Sequence, residues 1–252
     1  KTHFNVFICY SKCIHLHLQY ILQFSTMNKK LSECSHTCFM CQNITQDWWQ
    51  MIDLKRFLIK VKKGQKFIEE GNEMSGVYFI QDGFVKVHKH WGEREMIVRF
   101  GKKGDIVGHR GISTANLLSP ISATAMKDSV LCFVELDFFK TLLKTNNTFA
   151  YELMMFYAEE LHWSEQKMGS LFQLSVKERF IVNLLYLIDH LGLDKENVLK
   201  AELTKTDLAA YIGTTYETMH RVISDMENEN ILIFSGKRIK IADLEKLKLD
   251  FV

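Results

Sequence analysis

Apolar and polar positions divide this chain into two regimes. Between residues 55 and 135 the apolar positions come in short runs: 77–80, 84–90, 96–100 and 130–134. In the second run Val85 and Val87 alternate with Lys86 and His88. Alternation over a few residues fits a half-buried strand. Nine of the thirteen glycines, from Gly64 to Gly111, punctuate these runs. Short strands broken at such intervals predict an antiparallel roll or barrel.

From Asp137 onward the period becomes helical and glycine is absent until Gly169. Met154, Leu161 and Met168 recur every seven residues, interleaved with Tyr157, Ser164 and Leu171. That is an a/d seam, which predicts a homodimer helix. Ser175 and Glu178 have capping-box spacing before an apolar helix that Gly192 stops. Thr204 and Asp207 cap a short helix that ends at Gly213, and Thr215 caps the next. A short helix, a glycine turn and a second helix is the helix-turn-helix arrangement. On the second helix Met219, Val222, Ile223 and Met226 form the buried stripe, leaving Glu217, His220, Arg221 and Ser224 to face outward. Residues 231–234 and 238–241, around Ser235, Gly236 and Lys237, predict a hairpin, or wing.

The architecture expected is α+β: a β-roll, a long dimerisation helix and a winged helix-turn-helix. The boundaries are a partly disordered lead with a cysteine group over 1–45, a sensory roll over 46–139, the dimer helix over 140–174 and a DNA-binding unit over 175–252. Composition agrees with a soluble globular protein. The 252 residues are 47% apolar and 25% charged, with a net charge of +2. No whole-chain charge signal points to nucleic acid, and residues 204–252 hold seven basic and eight acidic side chains. The nucleic-acid signal is local. Arginine can bond guanine O6 and N7, and a carboxylate can accept from cytosine N4, so Glu217 and Arg221 near a helix N-terminus suit base reading, along with Tyr216 and His220. Lys205, Thr215, Ser224, Lys237, Arg238 and Lys240 are the expected phosphate contacts. A plain surface ion pair between Glu217 and Arg221 is the competing reading.

Five of the six cysteines lie within the first 41 residues, unlike a disulfide framework, so a reduced, cytoplasmic chain is expected. The first 26 residues lack the basic start and cleavage site of a secretory signal, and Met27 is read as the native start. No apolar run there reaches the ~20 residues that span a bilayer.

The roll, the long helix and the run LTKTDLAAYIGTTYETMHRVI at 203–223 together resemble the Crp/Fnr family of bacterial transcription regulators. The resemblance covers about residues 50 to 250. It implies a homodimer on palindromic double-stranded DNA, with RNA polymerase as a partner and no enzymatic activity. It also implies that Glu217 and Arg221 read a G·C pair, whereas Tyr216 and His220 depart from the residues often found at their positions. In cyclic-nucleotide-binding members a glutamate holds the ribose and an arginine pairs with the phosphate. The matching runs here are GDIVGHRG at 104–111 and SPISA at 119–123, with His109 in the glutamate position and Ile121 in the arginine position. Losing that arginine removes a bidentate charge-assisted pair, which argues against a cyclic nucleotide. His109, Arg110 and Ser122 are the candidate pocket for another effector, with a solvated loop arginine as the plain alternative for Arg110.

The family's other input is an iron–sulfur cluster. Cys34, Cys38 and Cys41 form a C-x3-C-x2-C group, and Cys132 aligns with the fourth ligand of the oxygen-sensing fumarate and nitrate reductase regulator, so a [4Fe–4S] cluster is the cofactor to test. The spacing differs from that regulator's. Zinc held with His36, and ordinary buried thiols, compete. C-x3-C-x2-C is also the radical S-adenosylmethionine spacing, but that fold would need repeated strand–helix units after the motif.

Overall fold

A computed structural model describes residues 27–28, 36–112 and 117–249. A small strand β1 (Met27–Asn28) precedes helix α1 (Phe39–Gln42), a 3-10 turn (Gln46–Trp48) and α2 (Trp49–Lys55). The roll follows: β2 (Arg56–Val61), β3 (Lys66–Ile68), β4 (Gly76–Asp82), β5 (Phe84–Trp91), β6 (Arg94–Lys102), β7 (Ile106–Val107), a 3-10 turn (His109–Gly111), β8 (Ser122–Ala125) and β9 (Ser129–Glu135). Helices α3 (Leu136–Thr145), α4 (Asn147–Gln173) and α5 (Val176–Leu191) lead to α6 (Lys205–Ile212) and α7 (Tyr216–Asn228). The chain closes with β10 (Leu232–Ser235), β11 (Arg238–Ile241) and α8 (Leu244–Leu249).

Two antiparallel sheets make the roll, one ordered β1-β2-β9-β4-β7 and the other β3-β8-β5-β6. All four strands predicted from alternation are present, as β4, β5, β6 and β9. β2, β3, β7 and β8 were not foreseen. β3 and β7 are three and two residues long, too short for a pattern. Val85, Val87, Ala123, Leu131 and Phe133 fill the space between the sheets.

Two expectations about boundaries change. Residues 36–45, read as part of a partly disordered lead, are folded onto the roll: Phe39 N donates to Gly104 O at 2.9 Å, and Met40 and Cys41 are buried. Apolar side chains that share the core cluster of Ile52, Leu58 and Phe139 would lose that burial in a free lead. The long helix is also two helices, because Asn146 has extended geometry and its side chain accepts from Phe149 N at 2.9 Å, capping α4.

On α4 the seam is narrower than its heptads suggest. Met154, Leu161 and Met168 are 57%, 61% and 58% exposed, whereas the Tyr157 hydroxyl donates to His109 O at 2.6 Å. Trp163 stacks on Tyr186 of α5 at 4.1 Å.

The DNA-reading unit does not stand apart from the roll. Phe84, Ile97 and Phe100 join one apolar cluster with Phe180, Leu208, Tyr211 and Met219. The ring of Phe100 on β6 lies 5.1 Å from that of Tyr211 on α6. Lys86 on β5 reaches Asp207 at 3.4 Å.

Candidate functional site

Local capping sets the recognition helix. Thr204 and Asp207 form a reciprocal capping box at the start of α6, and Gly213 ends it with φ +76°, a left-handed geometry that glycine takes without strain. Thr215 Oγ1 accepts from Thr218 N at 3.3 Å and starts α7. Met219, Val222, Ile223 and Met226 are buried, as the pattern required, which turns Tyr216, Glu217, His220 and Arg221 to the surface. No ion pair joins Glu217 and Arg221 among the described residues, so both retain hydrogen-bonding capacity for an outside partner. Their polar face carries a negative group in the first helical turn and a cation one turn on.

Around this face His220 Nδ1 lies 3.0 Å from Lys205 Nζ, and the same ammonium sits 5.3 Å from the Phe234 ring centre. Lys205 thus ties α6 to both α7 and the wing. Ser224 is half-buried farther along α7. Lys237, Arg238 and Lys240 are exposed on the hairpin, Arg238 at 3.8 Å from Asp194. The wing is anchored by Leu203 N to Lys237 O at 2.9 Å and Leu199 N to Ile239 O at 2.9 Å. The structure therefore leaves Tyr216, Glu217, His220 and Arg221 on the surface of α7 and Lys237, Arg238 and Lys240 on the surface of the hairpin, with Lys205 between the two.

The effector residues behave differently. His109, in the turn after β7, is buried, and its Nε2 lies 2.9 Å from Glu160 Oε2 on α4. Arg110 reaches the same oxygen at 3.2 Å, and Arg99 Nε lies 3.2 Å from Oε1. Arg110, read as an effector-pocket residue with a solvated loop arginine as the alternative, instead pairs its guanidinium with this internal carboxylate. Ser122 sits on β8, where its Oγ accepts from Glu70 N at 3.0 Å. Ile121 is buried at the position where the resemblance calls for an arginine.

Glu160 was missed by sequence reasoning. A glutamate on a solvent-rich helix carries no signal until tertiary packing brings β6 and the turn after β7 against it. Burial would push its carboxyl up, but the hydrogen bond with His109 and the Arg99 and Arg110 guanidiniums outweigh that and hold it at about 2. Burial lowers His109, so the ring is a neutral donor to Glu160. Burial, reinforced by Glu160, raises Tyr157 to about 12. Two turns beyond Glu160, Lys167 points its ammonium at the Tyr211 ring, 3.7 Å from its centre, and donates to Ile97 O at 3.3 Å. Burial, with Arg110 adding repulsion, lowers Lys167 to about 7.

Cys38, Cys41 and Cys132 are all buried and belong to one core cluster, Cys132 lying opposite Leu58 and Phe79 in its sheet. Cys34 lies outside the described residues. His36 stacks on Trp49 at 4.2 Å, with Nε2 3.8 Å from Asp53.

The model of the cyclic nucleotide-binding domain matches residues 58–146, and that of the Crp-like helix-turn-helix domain matches residues 178–249. The chain belongs to the Crp/Fnr family. Among Crp/Fnr relatives, it is 29% identical over 191 residues to the fumarate and nitrate reduction regulatory protein of Yersinia pestis, covering 74% of this chain and 75% of that protein. It is 24% identical to electron transport regulator A of Shewanella oneidensis, covering 75% and 76%. The fold superposes on FixK2 from Bradyrhizobium japonicum with a TM-score of 0.68 at 23% identity, covering 77% of this chain and 96% of that one. A mutant CooA from Carboxydothermus hydrogenoformans gives 0.70 at 17% identity, covering 89% and 99%. As a Crp/Fnr member the chain is a DNA-binding transcription regulator and not an enzyme, which removes the radical S-adenosylmethionine alternative. Among the described residues, no helix is long and apolar enough to cross a membrane.

Proposed function

We propose that the protein is a cytoplasmic, homodimeric regulator that reads a palindromic duplex with α7 and takes its input at the roll from something other than a cyclic nucleotide. The observation that carries the DNA reading is the outward set Glu217, His220 and Arg221 on a helix whose opposite stripe is buried. Two such helices related by a two-fold axis read half-sites ~10 bp apart. The exposed line of Met154, Leu161 and Met168 supports pairing through α4. His109 held by Glu160, and Ile121 in place of an arginine, support an input that is not a cyclic nucleotide. RNA polymerase is the downstream partner that the family resemblance supplies.

A second reading of the same regulator is favoured by the shared burial of Cys38, Cys41 and Cys132. Soft thiolates in an apolar pocket suit iron–sulfur ligation, and these three with Cys34 would hold a [4Fe–4S] cluster. When bound, such a group would supply redox sensitivity. The named relatives include regulators of fumarate and nitrate reduction and of electron transport, which accords with an oxygen-linked input.

The test is selection on random duplexes together with absorption spectra and iron and zinc analysis of protein purified without oxygen. A palindromic consensus, with a dimer that Leu161→Glu converts to monomer, is expected; no enriched palindrome would overturn the DNA reading. The cluster reading expects about four irons per chain, a brown colour and bleaching in air. Colourless protein with equal DNA binding in air and without oxygen would overturn it.

A further inference from the structure

The β5–β6 hairpin carries a group of side chains that neither the DNA face nor the cysteines use. His88 and His90 are two apart on β5 and so share a face, and Glu95 on β6 is the direct cross-strand partner of His90. The register shifts between Val87 and His88, and such irregularities re-aim side chains. One ligand atom each from His88, His90 and Glu95 lies within 4.8 Å of the others.

The geometry around His88 is what singles this group out. Its Nε2 lies 2.9 Å from Thr124 Oγ1 on β8, while Nδ1 is buried, makes no hydrogen bond and lies 3.1 Å from Glu95 Oε2. In the tautomer whose ring proton is on Nε2 and donated to Thr124, the Nδ1 lone pair faces that carboxylate oxygen, the arrangement an ion would bridge. Ligands bound to a tetrahedral zinc-type ion at 2.0–2.1 Å are about 3.3 Å apart, so this pair already stands at ligand spacing.

From these contacts we infer that His88 Nδ1, His90 and Glu95 Oε2 form a binding site for a late first-row divalent metal of the zinc type. Two imidazoles and one carboxylate suit such an ion and leave further positions for water. Thr124 acts as the outer partner that fixes the ring of His88. Lys86 faces the same carboxylate, at 2.5 Å, but on Oε1, and its ammonium also reaches Asp207. The side of Glu95 that meets His88 is therefore left to the ion. Lys89 is turned to Glu70, at 2.8 Å. Because Asp207 belongs to the capping box of α6, an ion here sits one lysine away from the DNA-reading unit.

Cobalt(II) titration of the full chain tests this, because a nitrogen–oxygen site gives visible d–d bands without the near-ultraviolet charge transfer that thiolates add. The wild-type chain is expected to bind one more cobalt than His90→Ala or Glu95→Gln, with zinc competing it out. His90 is exposed, so its replacement leaves the fold in place. Thr124→Val is expected to weaken the site 10–100-fold, and Lys89→Ala to leave it unchanged. Equal cobalt stoichiometry and affinity in the wild type and His90→Ala, or bands carrying only thiolate charge transfer, would overturn the site. Either result leaves the palindrome and iron experiments untouched.

Discussion

The recognition helix and the roll's candidate effector residues carry similar polar chemistry and use it in opposite ways. On α7, Glu217 and Arg221 point outward and make no ion pair with each other. At the roll, Arg99, His109 and Arg110 all converge on Glu160 of α4. The first arrangement leaves hydrogen-bonding capacity for a partner. The second consumes it inside the protein, where desolvation makes each unmatched charge expensive. A family resemblance in residue type is therefore not enough to assign a binding role; what matters is whether the group is already satisfied.

The largest expected effect breaks the roll's side of this comparison. Glu160→Ala leaves two guanidiniums without their carboxylate and should lower stability by about 3–5 kcal/mol, measured by urea unfolding at pH 7. The wild-type contribution of Glu160 has a defined pH window. Its folded carboxyl sits at about 2, below the ordinary value near 4.3, so its stabilisation is full above the ordinary value and is lost as pH falls toward 2. Glu160→Ala should flatten unfolding free energy across that interval. An unchanged acid limb would mean that the cluster contributes nothing to the fold.

Arg221→Ala breaks the other side. It should cost roughly 1–3 kcal/mol per half-site and relax preference at one base pair, with the fold unchanged. Competition binding on a selected operator and its single-base variants measures both. If the variant bound its site as tightly as the parent, α7 would not be the reading element.

Lys167 lies between the two regions. Its folded value of about 7 is below the ordinary lysine value near 10.4, so the folded state binds fewer protons than the unfolded one between those limits. Stability should therefore rise as pH climbs from 7 to 10, and below 7 the full cost of the buried cation is paid. Lys167→Met should raise stability by roughly 1–2 kcal/mol at neutral pH and remove that rise. Melting temperatures at pH 7 and 9 distinguish this from a lysine that contributes through its ring contact. The smallest effect concerns the wing: Lys237→Ala should weaken all sequences alike and reduce the salt slope of binding by about 1.

How much was legible follows the range of the interactions. The capping residues Ser175, Thr204 and Thr215, the stops at Gly192 and Gly213 and the buried stripe of α7 all act within a few residues, and each appears where the pattern put it. Long alternating strands were readable, and the two- and three-residue strands β7 and β3 were not, because a period needs length to register. On α4, Tyr157 was read as part of the seam and instead bonds the roll, a long-range contact that heptad spacing does not register.

The sequence alone determined the order of roll, long helix and winged helix-turn-helix and the outward set on α7, because periodicity, capping and turn chemistry are local and additive along the chain. Tertiary structure alone decided that Glu160 gathers Arg99, His109 and Arg110, that Lys167 lies under Tyr211, and that Cys132 shares a core with Cys38 and Cys41. These contacts join residues dozens of positions apart, and their energies depend on burial. Burial is a property of the packed chain, with no signature in the spacing of the residues that acquire it.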